Sequence, residues 1–71
     1  MNSNFIEGYL QLKIDGHWYV DDYKLKEGTL FEILKDNKWV MVSMEESQGA
    51  FYCYPLSPLE AGNKVRIEVD L

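Results

Sequence analysis

KIDGHWYV, Lys13 to Val20, and KDNKWVMV, Lys35 to Val42, decide how this 71-residue chain folds. Each sets a charged, turn-forming pair just ahead of a tryptophan, and each tryptophan opens a β-branched or aromatic run. Asp-Gly is the preferred pair for a tight type I′ turn, so Asp15-Gly16 predicts a hairpin between a strand Ile6–Ile14 and a short return, His17–Val20. In the outgoing strand Ile6, Gly8, Leu10, Leu12 and Ile14 alternate with Glu7, Tyr9, Gln11 and Lys13. That period of two predicts that the first set faces inward. Asp36-Asn37 is the second hairpin turn. It joins a strand Thr29–Lys35, with Phe31 and Ile33 on one face, to a strand Trp39–Met44. There Val40, Val42 and Met44 share one face and Trp39, Met41 and Ser43 the other. Aligning Asp15 with Asp36 also aligns Trp18 with Trp39, Leu12 with Ile33 and Leu10 with Phe31, so the two hairpins read as one construction. A single 21-residue offset does not establish a duplication, and a good hairpin reached twice is the plainer account.

Outward from these hairpins the chain is mostly strand and turn. DDYKLKEG, Asp21 to Gly28, reads as a loop across one end of a barrel, anchored by Leu25 and turned by Gly28 into the next strand. EESQG, from Glu45, is a third turn, and AFYCYPL, from Ala50, is a strand that Pro55 ends, because proline cannot donate to a mid-sheet ladder. In SPLEAG, Ser57 is placed to cap a first helical turn, with Pro58 at its first position, Glu60 closing a capping box and Gly62 stopping it. Only one turn fits. KVRIEVDL, the last eight residues, alternates cleanly, with Val65, Ile67, Val69 and Leu71 inward and Lys64, Arg66, Glu68 and Asp70 outward. The expected architecture is all-β: a small, five-stranded, partly open SH3-like barrel with a one-turn helix before the last strand, the whole of 1–71 forming one domain.

Composition narrows the function classes. Hydrophobic residues make up 46%, charged residues 27% and aromatics 14%, the profile of a small β-rich globular domain. A chain of this length has room for about a dozen and a half core side chains, so most large apolar residues are needed for folding. Phe5, Phe31 and Phe51 are assigned to that core. Twelve carboxylates against seven Lys and Arg give a net charge of −5. That opposes direct binding to a phosphate backbone and suits docking onto a basic partner. Cys53 is the single cysteine, so neither an intramolecular disulfide nor a cysteine-built zinc site can form within one chain. A reducing, cytoplasmic setting is expected. MNSNFIEGYLQ lacks the basic-then-apolar pattern of a signal peptide, and the longest apolar runs are too short to span a membrane.

Catalytic constellations are few. His17 is the single histidine, and a Cys53–His17 dyad needs both side chains to meet with a third group orienting the imidazole. An exposed turn residue and an inert cysteine are the simpler readings. Asp21-Asp22 and Glu45-Glu46 lack the spacing of a calcium loop and read as solvated turns. No catalytic, cofactor or metal residues are assigned, and no cofactor is expected. The rings carry the interest. Trp18, Tyr19, Trp39, Tyr52 and Tyr54, with Asp21, Asp22, Glu45 and Glu46 as acidic neighbours, are the candidate partner-binding residues, because exposed Trp and Tyr are the usual anchors of hot spots. The same rings are the raw material of an aromatic cage for a methylated cation or of a base-stacking surface. For the latter, Lys24, Lys26, Lys35 and Lys38 are interleaved with Glu27, Glu32 and Asp36.

Tyr23-x-Leu25-x-x-Gly28-x-x-Phe31-Glu32-Ile33-Leu34, then Trp39-Val40-x-Val42-x-Met44-Glu45, then Phe51-Tyr52 and Gly62-Asn63-Lys64-Val65-Arg66-Ile67 resemble the central hairpin and closing strand of SH3-like and Tudor-like barrels. More closely, they are similar to a family of short bacterial domains of unknown function, associated with Gram-positive bacteria, phages and mobile elements. The likeness covers roughly Tyr23 to Ile67 and carries no catalytic residues. It implies an accessory protein that binds and blocks host machinery. The expected function is thus a non-enzymatic protein-binding module, an acidic inhibitor of the anti-CRISPR type, whose partner is a host or mobile-element protein. A nucleic-acid-binding barrel and a methyl-cation reader are the alternatives. A homodimer joined through an edge strand such as Lys64 to Leu71 is compatible with the first.

Overall fold

The alternating segments become one curled antiparallel sheet. A computed structural model describes residues 3–55 and 58–70. Its strands are β1 (Ser3–Leu12), β2 (Trp18–Val20), β3 (Tyr23–Lys24), β4 (Leu30–Lys35), β5 (Lys38–Ser47), β6 (Ala50–Tyr54) and β7 (Lys64–Asp70). They lie in the order β3-β2-β1-β7-β4-β5-β6 and form an all-β half-barrel. The last strand in sequence sits mid-sheet, between β1 and β4.

Seven strands replace the expected five. That number was too low even for the alternating segments named above, and Tyr23–Lys24, read as loop, adds a short rung against Tyr19 and Val20. The one-turn helix is not there either. Ser57 lies outside the described residues, and Pro58 to Gly62 is irregular, ending in a turn where Asn63 N–H donates to Glu60 O at 3.3 Å. The reason lies in what the segment delivers. Gly62 N–H donates to Leu10 O and Leu10 N–H to Asn63 O, both at 2.8 Å, a bulge with Gly62 at φ 95°. Gly28 and Thr29 make the same two bonds to Met44, at 2.7 and 2.8 Å. Each left-handed glycine re-aims the chain into a ladder at a rim of the half-barrel, which a helix ending there would not do.

The core lies inside the curl. Leu10, Val20, Leu25, Phe31, Ile33, Val42, Met44, Cys53, Val65 and Ile67 are buried, and Ile6, Trp18, Val40, Phe51, Leu59 and Val69 pack against them. Phe31, Phe51 and the Leu25 anchor thus take their expected places. Phe5 does not: it shares the phase of Glu7 and Tyr9, so the pleat turns it outward, 58% exposed. Leu12 and Ile14 also leave the core. Ile14 is fully exposed because β1 ends at Leu12 and the hairpin closes through three residues. Lys13 N–H donates to His17 O at 3.0 Å and Gly16 N–H to Lys13 O at 2.9 Å, with Gly16 at φ 82°. This is a turn with a glycine bulge in place of the expected type I′ pair. The second hairpin is the two-residue type I′ turn, with Asp36 at φ 51° and Asn37 at φ 64°. Val69 packs inward as expected, whereas Leu71 lies outside the described residues.

Candidate functional site

The outer face of the sheet can be read off its register. Phe5 faces Glu68, Glu7 faces Arg66 and Tyr9 faces Lys64 across β1–β7. Arg66 in turn faces Glu32, Glu32 faces Met41, and Leu34 faces Trp39. Leu30 faces Ser43, and Ser43 faces Tyr54. One row therefore holds Phe5 and Glu68 on β1–β7 and Leu30, Ser43 and Tyr54 on β4–β6, with Glu68 and Leu30 lining one groove, and the row beside it runs Glu7, Arg66, Glu32, Met41. Phe5, Leu30, Met41 and Tyr54 are 58, 63, 56 and 66% exposed. Scattered exposed apolar residues need no explanation, but side chains set in adjoining rows make a patch.

Arg66 organises its centre. Its Nε donates to Glu32 Oε1 at 2.9 Å and its Nη2 to Glu32 Oε2 at 3.3 Å. The guanidinium lies 4.3 Å from the centroid of Trp39 and 5.6 Å from that of Phe5. The planar fork thus meets a carboxylate at its edge and rings on its faces. The hydrogen bond that Arg66 donates to Glu32 raises the Arg66 pKa above its ordinary value. Around the pair lies a groove of about 430 Å³, lined by Phe5, Leu30, Glu32, Met41, Arg66 and Glu68. Glu7 and Lys64 pair at 3.5 Å, and Ser43 Oγ donates to Glu45 at 2.7 Å. Among the described residues Glu68 has no cationic partner, so the face keeps an acidic balance within an apolar frame.

The candidate residues divide between two faces. Trp39, Tyr52, Tyr54 and Glu45 lie on the outer face, where Glu45 is opposite Tyr52. Trp18 faces inward beside Leu12 and packs on the core. Tyr19 is tied to the first hairpin loop, its hydroxyl donating to Asp15 Oδ2 at 2.5 Å and Lys13 Nζ lying 4.2 Å over its ring. Asp21 and Asp22 form the exposed β2–β3 turn, with Asp22 3.6 Å from Lys13. Glu45 and Glu46 are not in a turn: β5 runs on to Ser47, and successive residues put Glu46 on the face opposite Glu45. The turn itself is Gln48-Gly49. The rings named as cage candidates are therefore not gathered at one point, and the two of them that carry cations, Tyr19 and Trp39, carry the chain's own Lys13 and Arg66. Leu30, Met41 and the Arg66–Glu32 pair were not among the candidate binding residues, and Phe5 was assigned to the core. The outward phase of Met41 was legible, but the neighbours Phe5, Arg66 and Glu68 that line its groove come from β1 and β7, far away along the chain.

The reactive groups lead elsewhere. Cys53 is buried, and that burial pushes its thiol pKa up, away from a nucleophilic thiolate. His17 is half-buried, not fully exposed. Its ring lies 5.3 Å from Phe51 and its Nδ1 3.1 Å from Asp15 O. That contact brings the first hairpin against β6, near the open side of the half-barrel. Among the described residues no group of three or more His, Cys, Asp or Glu side chains is placed to hold a metal ion. No family model, no curated protein and no solved structure matches this chain.

Proposed function

We propose that the chain is a non-enzymatic protein-binding module whose interface is the outer sheet face centred on Arg66. The observation that carries this reading is the patch of Phe5, Leu30, Met41 and Tyr54 set around a ring-stacked, bidentate Arg–Glu pair. Aromatic and arginine side chains in a desolvatable centre are the composition of interface hot spots. None of these side chains is needed in the core, so their exposure has no packing reason. The net charge of −5 favours a basic partner surface and speeds encounter with it. Within the same proposal fall the narrower readings: an SH3-like barrel, the kinship with short domains of Gram-positive bacteria, phages and mobile elements, and an anti-CRISPR-like inhibitor of host machinery acting in the cytoplasm. These rest on the resemblance and the charge.

The test is a tagged pull-down from a Gram-positive host lysate, with and without nuclease, using the natural chain and Met41→Lys. One dominant protein that survives nuclease and is lost with Met41→Lys supports the reading, since a hot-spot change costs at least about 2 kcal/mol, roughly thirtyfold in affinity. Recovery that disappears with nuclease would mean a nucleic-acid target and would overturn it.

A further inference from the structure

The long first strand has two different edges. On one side it pairs with β7 from Ser3 to Tyr9, and on the other it pairs with β2 only from Leu10 to Leu12. Leu10 exchanges its backbone bonds with Gly62 and Asn63 on the β7 side. Backbone groups alternate sides along an antiparallel strand, so those of Ile6 and Gly8 also face β7, and those of Phe5, Glu7 and Tyr9 face away. Among the described residues no strand pairs there.

Such an edge is usually blunted by shortness, lysine, proline or a covering segment. The other two edges follow that rule. β3 has two residues, and β6 has five, closed by the Gln48-Gly49 turn and Pro55. The open stretch of β1 has neither lysine nor proline and a single charge, Glu7. Its outer face offers Phe5 and Tyr9, each 58% exposed, as cross-strand neighbours. Its inner face borders a groove of about 410 Å³ lined by Ile6, Val20, Asp21, Asp22 and Tyr23. Gly8 keeps that approach low: a Cβ there would stand 3.1 Å from Asp21 Oδ1.

We propose that this edge of β1 takes an added strand from a partner protein, an extended segment whose alternate apolar side chains enter the groove and whose Lys or Arg meets Asp21 and Asp22. Charge selects that occupant. Glu7, Asp21 and Asp22 outnumber the cations that reach them, Lys64 on Glu7 and Lys13 on Asp22. Charge also opposes a second copy. Antiparallel self-pairing centred on the open stretch would set Glu7 against Glu7, a like-charged pair directly opposed. The earlier edge candidate pairs with β1 from Lys64 to Asp70 and with β4 at Val65 and Arg66, and Leu71 lies outside the described residues. The inference is independent of the outer-face interface, although Phe5 borders both surfaces.

The experiment is selection of a random-peptide library on the immobilised full chain. Selected peptides are then synthesised for affinity measurement and backbone-amide mapping. Enriched peptides should alternate β-branched or aromatic residues with Lys or Arg. Binding should slow hydrogen exchange at the amides of Phe5, Glu7 and Tyr9. Glu7→Pro removes an N–H from the open side and none from the β7 ladder, so it should weaken binding at least about tenfold. Asp21→Asn with Asp22→Asn keeps the turn, and should weaken binding about three- to tenfold and flatten its salt dependence. Tyr54→Lys, on β6 at the far end of the sheet from β1, should leave peptide affinity within about twofold, which separates this site from the outer-face one. If Glu7→Pro does not fold, the aspartate pair and the amide map decide. Absence of enrichment, protection confined to other amides, unchanged binding to the aspartate variant, or dimerisation of the chain through β1 would each overturn the proposal.

Discussion

The β1–β2 hairpin closes through three residues, Ile14 to Gly16, and the β4–β5 hairpin through two, Asp36 and Asn37. Both tryptophans are the second residue after their loops, and both sit opposite a leucine, Trp18 against Leu12 and Trp39 against Leu34. Leu12 is in phase with the buried Leu10, whereas Leu34 is out of phase with the buried Ile33. The two loops open at opposite phases of their outgoing strands, so the same place in the hairpin puts Trp18 on the inner face and Trp39 on the outer one. Side-chain direction has a period of two, so a one-residue shift in where the turn falls is enough to exchange core for surface. The same local text builds part of the core in one hairpin and one wall of the arginine clamp in the other.

Substituting each tryptophan is the strongest way to break this comparison. Trp18→Ala removes a large ring packed on the core and should cost about 3 kcal/mol, the lower end for such a truncation because the ring is only half-buried. Trp39→Ala loses one face of a cation–π contact and some covered apolar area, and should cost about 1 kcal/mol. Urea unfolding of both variants measures the difference. Equal losses would mean that Trp39 supports the core as much as Trp18 does, and the contrast between faces would carry no energetic content.

These hairpins also show what the sequence made legible. Alternation in β4, β5 and β7 placed Phe31, Ile33, Val42, Met44, Val65 and Ile67 correctly, because their phase is apolar throughout while the other is broken by Glu32, Ser43, Lys64, Arg66 and Glu68. It misplaced Leu12 and Ile14, where apolar residues continue past the point at which the strand still covers a core, whereas Phe5 was assigned to the core as a large ring against its own phase. Phase alone cannot say where the barrel ends. The turn at Asp15-Gly16 was read as two residues because the dipeptide favours that form, but Gly16 serves equally as the left-handed residue of a bulge. The arginine clamp was illegible for another reason. Glu32 and Arg66 are 34 residues apart and meet only because β7 inserts between β1 and β4. Strand order of that kind is not written in local periodicity.

Deleting Ile14 sharpens the comparison. The Lys13–His17 pair can then be closed by Asp15-Gly16 alone, in the two-residue form first expected for it. Every rung from Leu12–Trp18 onward keeps its partner, so Trp18 stays inside. The expected loss is within about 1 kcal/mol, and the emission of the buried-side tryptophan should hold its wavelength in Trp39→Phe background. A loss as large as that of Trp18→Ala would show that the three-residue loop fixes the register, and that the ladder does not hold it alone.

The smallest expected effect comes from how the first loop is tied. Asp15 accepts from the Tyr19 hydroxyl at 2.5 Å and from the His17 amide at 2.9 Å. The Tyr19 hydroxyl, then the His17 amide, hold the Asp15 carboxyl below its ordinary pKa, and the same carboxylate raises the Tyr19 pKa. The two signs bound one window. The Asp15 contribution is present above its unfolded pKa and is lost as pH falls through the lowered folded value. The Tyr19 contribution is complete below its unfolded pKa and is lost as pH rises through the raised one. The pair therefore steadies the loop between about pH 4 and pH 10. In Tyr19→Phe the Asp15 pKa should rise toward the ordinary value and stop short of it, since the His17 amide still donates. Carboxyl-resolved titration by NMR reads this directly. An unchanged Asp15 pKa would mean that the hydroxyl does not hold the carboxylate, and that the bulge at Gly16 is set by the His17 amide alone.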